Sequence, residues 1–85
     1  GSSMQDAGIT DGDILVIDKS LEPQDGDTAV CFIDGEFTLK YIRLEPDAVY
    51  LVPANPNFKP IKVTAENNFC IWGIVTFSIK NHKRN

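Results

Sequence analysis

Chemistry that depends on histidine has little to draw on, because His82 is the only histidine in the chain. A lone imidazole in a terminal basic cluster makes no credible Ser-His or Cys-His pair and no credible zinc site. Cysteine is almost as scarce. Cys31 and Cys70 form no disulfide framework. Each lies inside an apolar run, Ala29 to Ile33 or Phe69 to Trp72, where a small buried hydrophobe is the expected role. That usage fits a reducing, cytoplasmic setting and leaves the redox state of the two thiols open. No stretch reaches the roughly 18 apolar residues of a membrane helix, and no secretory signal pattern is visible. Positive charge is short as well: 8 Lys and Arg stand against 12 Asp and Glu, for a net charge of −4. Direct, phosphate-driven DNA binding needs clustered basic residues and is not expected. The one basic cluster, Lys80, His82, Lys83 and Arg84, reads as a solvated tail. Asp11-x-Asp13 lacks the Asx-rich loop and terminal bidentate Glu of a calcium site. No glycine loop cradles phosphate, so neither metal nor cofactor is called for.

What is present is strand and turn. Eighty-five residues make one domain, 1–85, near the lower limit of independent folding, and a core of that size favours dimerisation. Turn signals recur at short intervals: Asp11-Gly12-Asp13, Pro23 to Asp27, Asp34-Gly35, Pro46-Asp47, and Pro53 through Pro60. Between them lie runs rich in Val, Ile, Phe and Tyr, namely Ile14 to Ile17, Thr28 to Ile33, Glu36 to Leu44, Val49 to Val52, Ile61 to Thr64 and Phe69 to Ile79. This punctuation predicts an all-β sandwich or barrel. Asp34-Gly35 predicts a tight hairpin, because a type I′ turn needs positive φ at both central residues. The continuous apolar run Ile14 to Ile17 predicts a strand covered on both faces. In the last strand Val75, Phe77 and Ile79 alternate with Thr76, Ser78 and Lys80, which predicts one wet face. The one helical candidate is a turn from Met4 to Gly8.

The remaining candidate for chemistry is a serine with a lysine. Such a pair works only when the lysine is neutral, since an ammonium has no lone pair to accept the serine proton. Burial among apolar groups can lower a lysine's proton affinity by several units. Lys40, flanked by Leu39, Tyr41 and Ile42, is the one lysine placed for this. Lys19 lies in a polar turn, Lys59 precedes Pro60, Lys62 alternates outward, and Lys80 and Lys83 are terminal. The alternative for Lys40 is a surface ammonium whose stem lies over apolar neighbours. Ser3 is one serine among several, with Ser2, Ser20 and Ser78 as rivals, and residue types alone do not choose between them. Pro53 to Pro60 is a rigid, extended loop. It reads as a connector with Phe58 as a packing plug, or as one wall of a peptide-binding cleft.

The order of these pieces carries a resemblance. Ser3-Met4-Gln5-Asp6-Ala7-Gly8-Ile9 is followed by Asp11-Gly12-Asp13-Ile14-Leu15-Val16-Ile17-Asp18, then by Gly26-Asp27. Asp34-Gly35-Glu36-Phe37-Thr38-Leu39-Lys40 comes next. Leu51-Val52-Pro53-Ala54-Asn55-Pro56, Pro60-Ile61 and Trp72-Gly73-Ile74-Val75 complete the set. Together they resemble the LexA/UmuD family of self-cleaving Ser-Lys proteins, over nearly the whole chain, and most of all its UmuD-like SOS mutagenesis branch. The resemblance implies a small LexA/signal-peptidase-like domain of several coiled β-sheets. It implies Ser3 as nucleophile, Lys40 as general base, and the backbone N–H groups of Ser3 and Met4 as the oxyanion hole, donors that acyl transfer requires. It also implies a homodimer, stimulation of self-cleavage by a RecA filament on single-stranded DNA, and a UmuC-like Y-family translesion polymerase as partner. A LexA-like or phage-type repressor's C-terminal domain is the alternative. Two departures stand out. Before its serine the family places a glycine and usually an acidic or polar residue, where Gly1-Ser2 stand here with their native origin open, and the self-cleavage bond expected upstream is not in the sequence, which makes the chain similar to a processed form.

Overall fold

A computed structural model describes residues 9, 11–55 and 57–83 of the chain. It contains six strands: β1 (Ile14–Asp18), β2 (Thr28–Ile33), β3 (Glu36–Glu45), β4 (Ala48–Val52), β5 (Ile61–Lys62) and β6 (Phe69–Ile79). All pairings are antiparallel, and the strands join in one sheet in the order β1-β6-β2-β3-β4-β5. The all-β class is therefore as the turn spacing predicts, with a single continuous sheet in place of several. The turn from Met4 to Gly8 lies outside the described residues.

The hairpin between β2 and β3 sets the register at the centre of the sheet. Asp34 has φ 49° and Gly35 has φ 89°, the two positive angles the tight turn demands. Ile33 then pairs with Glu36, Cys31 with Thr38 and Ala29 with Lys40. The tip is also tied to the loop before β6. The Asn68 N–H donates to Asp34 Oδ1 at 3.0 Å and Asn67 Nδ2 donates to Oδ2 at 2.8 Å.

Cross-strand partners share a face, so the registers define where the core sits. Ala29, Cys31, Ile42, Leu51 and Ile74 are buried together, with Ile33, Val49, Val63, Phe69 and Ile71 packed against them. Ile42 lies opposite Leu51, and Ala29 opposite Ile74. The core thus occupies one face beneath β2, β3, β4 and the middle of β6, and Lys40, as the partner of Ala29, is on that face. The opposite face carries an aromatic row, Phe32 to Phe37 at 4.9 Å and Phe37 to Trp72 at 6.1 Å between ring centroids. The Lys19 amine sits 4.5 Å above the Trp72 ring.

β6 bends twice. Its register skips Thr76 against β1 and Trp72 against β2, two bulges that sharpen the local twist. Between them Gly73 is buried, and a Cβ there would overlap Ile17 Cγ2. At the far end, the Asp13 carboxylate is 1% exposed. It pairs with Lys80 Nζ at 3.4 Å and accepts the Asn81 N–H at 3.1 Å. The start of the tail is therefore clasped to the sheet, where a solvated tail was expected.

Four further expectations fail on burial. β1 is an edge strand beyond the core, so Ile14 and Val16 are exposed although their run is continuously apolar. Phe77 and Ile79 pair with Val16 and Ile14 at that same uncovered end and are exposed too. Cys70 is exposed, because its partner is Phe32 on the face away from the core. Phe58 plugs nothing. It is exposed, and Pro53 is the loop residue that reaches the interior.

Candidate active site

β3 alternates, so Thr38, Lys40 and Ile42 project to the core side while Leu39 and Tyr41 project to the other. Thr38 lies opposite Cys31 and Lys40 opposite Ala29, both of which are fully buried. Lys40 is half-buried. Its amine turns back along its own strand, donating to Thr38 Oγ1 at 2.8 Å and to the Leu39 carbonyl at 3.3 Å. The side chain of Lys40 therefore follows the sheet toward the Thr38–Cys31 pair instead of leaving for water.

Two effects set the ionisation of this group. Burial pushes the Lys40 amine below its ordinary value, because an ammonium loses hydration on the core side, and negative charge on Cys31 would oppose that shift. Cys31 itself is pushed up to about 11, by burial first, with Lys40 acting against and Cys70 with it. At neutral pH the sulfur is accordingly an uncharged thiol and the opposition is not exercised. A lysine in this position releases its proton more readily than one in solvent, and the neutral amine is the form that takes a proton from a hydroxyl.

The rival lysines are placed as the sequence suggests. Lys59 and Lys62 are exposed, Lys19 stacks on Trp72, and Lys80 is bound to Asp13. Two rival serines are also described. Ser20 Oγ donates to Asp18 Oδ1 at 2.6 Å and its N–H donates to the same oxygen at 2.8 Å, a turn that holds the Asp18 carboxyl below its ordinary value. Ser78 is exposed and lies opposite Leu15. Ser2, Ser3 and Met4 lie outside the described residues. Among the described residues no group of three or more His, Cys, Asp and Glu gathers to hold a metal, and no helix is long and apolar enough to cross a membrane.

Over residues 1–76 the chain matches the family model described as Peptidase S24-like. The chain belongs to the Peptidase S24-like family. Its S24 relatives include a LexA repressor of Methylococcus capsulatus, 46% identical over 81 residues, which are 94% of this chain and 40% of that protein. A LexA repressor of Oleidesulfovibrio alaskensis is 40% identical over 75 residues, 88% of this chain and 36% of the relative. Protein ImpA of Salmonella typhimurium is 42% identical over 80 residues, 93% of this chain and 53% of the relative. The chain thus spans between about a third and a half of the length of these curated relatives.

Within this S24 domain the sequence reading missed Thr38, which touches the amine, and Cys31, which lies opposite Thr38. Thr38 was legible in principle, since position i−2 on a strand shares a face with Lys40. Cys31 was read as inert filling. The two-residue hairpin turn fixes its place opposite Thr38, but only once the strands are known to pair without a bulge.

Proposed function

We propose that this S24 domain is a self-cleaving serine peptidase with Ser3 as nucleophile and Lys40 as general base. The carrying observation is the Lys40 amine, half-buried on the core face and anchored at 2.8 Å to Thr38 Oγ1 in a chain of this family. The neutral amine takes the Ser3 hydroxyl proton as Oγ attacks the scissile carbonyl carbon. The oxyanion formed is held by the backbone N–H groups of Ser3 and Met4. Collapse breaks the C–N bond, and the Lys40 ammonium returns its proton to the leaving amine. Water then hydrolyses the acyl ester by the same proton route.

The bond cut is one in an upstream arm, at a small residue followed by glycine. In a chain extended by such an arm, the rate of self-cleavage rises with pH until Lys40 is fully deprotonated, and then levels. Ser3→Ala and Lys40→Ala each reduce it by several orders of magnitude. Full-rate cleavage in either variant would overturn the assignment.

On the biological role, our leading reading is UmuD-like and cytoplasmic. A RecA filament on single-stranded DNA stimulates the cleavage, and the processed homodimer assists a UmuC-like Y-family polymerase in translesion synthesis during the SOS response. The similarity to ImpA, over about half of that protein, supports this branch. A second reading is the C-terminal dimerisation and cleavage domain of a LexA-like repressor, favoured by the 46% identity to the Methylococcus LexA repressor. A DNA-binding helix-turn-helix encoded upstream supports the repressor, and a short arm supports the UmuD-like role.

A further inference from the structure

Beside the hydroxyl that anchors Lys40 is a buried side chain that the proposed chemistry does not use. The Lys40 amine reaches Thr38 Oγ1, and the residue directly opposite Thr38 is Cys31. The sulfur of Cys31 is fully buried, and its nearest polar contact is a long one, 3.9 Å to the Ala29 carbonyl. Thr38 Oγ1 and the Leu39 carbonyl on β3 accept from the amine, Ala29 on β2 lies opposite Lys40, and Ile74 on β6 lies opposite Ala29. Tyr41 and Arg43 project to the opposite face with Tyr50 and Val52. Cys31 is a titratable group whose negative charge would act on the amine.

We propose that Cys31 is a positioning residue for the general base: its buried, poorly accepting side chain lies opposite Thr38, the hydroxyl that anchors the amine, so that side chain 31 sets how readily Lys40 gives up its proton. A thiol is a weak hydrogen-bond acceptor, whereas a hydroxyl of nearly the same shape is a good one. A hydroxyl at 31 can donate to the Ala29 carbonyl, as the thiol does, while accepting from the ammonium. It then stabilises the charged form of Lys40. The uncharged state of Cys31, which burial secures by pushing the thiol up to about 11, is part of the device, because a thiolate there would hold the proton on the lysine. The inference rests on Lys40 being the base, and it adds what fixes the pH range in which that base works.

The test is a titration of lysine ¹³Cε resonances in the 85-residue chain, with the Lys40 signal assigned by its loss in Lys40→Met. Cys31→Ser moves the Lys40 midpoint to higher pH, and Cys31→Thr does the same. Cys31→Ala, which keeps position 31 apolar, gives no upward shift. In an arm-extended chain, the midpoint of the cleavage profile rises with the titration midpoint, and cleavage on the acid side slows about tenfold for each unit of rise. An unchanged Lys40 midpoint in a folded hydroxyl variant would overturn the inference, and two hydroxyl variants guard against one failing to fold. Should cleavage survive Lys40→Ala while Cys31→Ser still moves the midpoint, it is the peptidase reading that fails and the control of ionisation that stands.

Discussion

An amine placed on the core side of a sheet works against the fold for as long as it is protonated. Lys40 is in that position, and burial holds its proton affinity below the ordinary lysine value of 10.5. The sign follows from linkage. Between the folded and unfolded values the unfolded chain binds more protons, so stability rises with pH across that window. Below the window the native state bears the cost of a partly dehydrated ammonium. Lys40→Met, of similar length and without charge, therefore raises the melting temperature at neutral pH, and the gain shrinks as pH approaches the ordinary lysine value. Thermal unfolding of both proteins over a pH series measures this. A gain that stays constant with pH would assign the effect to packing and not to charge. The Lys40 side chain thus gives up stability at the position where the proposed chemistry needs a neutral amine.

At the level of strands, turn chemistry carried the reading. Asp34-Gly35 fixed the central hairpin, and β2 and β6 begin and end where the apolar runs do. That periodicity does not report which strand lies at an edge, which is why Ile14 and Val16 were expected to be covered and are exposed. It also cannot show that Thr76 and Trp72 are skipped, because a bulge is decided by what the partner strand needs. At the candidate site, the partial burial of Lys40 was legible from its apolar flanks, whereas the places of Thr38 and Cys31 depend on register. Gly73 illustrates the same limit, being a glycine inside a strand whose reason lies on β1. Its missing side chain leaves room for Ile17 and for the stem of Lys19 to cross. Gly73→Ala is expected to destabilise the domain by about 1–3 kcal/mol through overpacking. The penalty should be smaller in an Ile17→Ala background. A double-mutant cycle in urea reads the coupling, and simple additivity would mean that the strands yield instead of clashing.

For the whole molecule, one end of the sheet stands out. Ile14 opposite Ile79 and Val16 opposite Phe77 make a patch of four exposed apolar side chains, with Phe77 70% and Ile14 61% exposed. Contiguous apolar surface of this kind marks association sites on soluble domains. It is the surface we would assign to the homodimer of the proposed function. Phe77→Lys then shifts the chain toward monomer in sedimentation velocity at micromolar concentration while leaving the circular dichroism of the sheet intact. Unaltered self-association in a folded Phe77→Lys chain would move the interface elsewhere.

The strand order has a consequence for how the chain is made. β6 lies between β1 and β2, so within this sheet the strand earliest in sequence has no hydrogen-bonding partner until the strand latest in sequence arrives. While β2, β3 and β4 pair with their immediate successors as they emerge, Ile14 to Asp18 must wait for residues 74 to 79. At about 5–20 residues per second, that is a delay of seconds during which an apolar edge is open on a nascent chain. The Asp13 clasp to Lys80 and Asn81 closes only at the end of that interval. Translation speed through β6, and any chaperone that covers β1 meanwhile, therefore bears on the yield of folded protein.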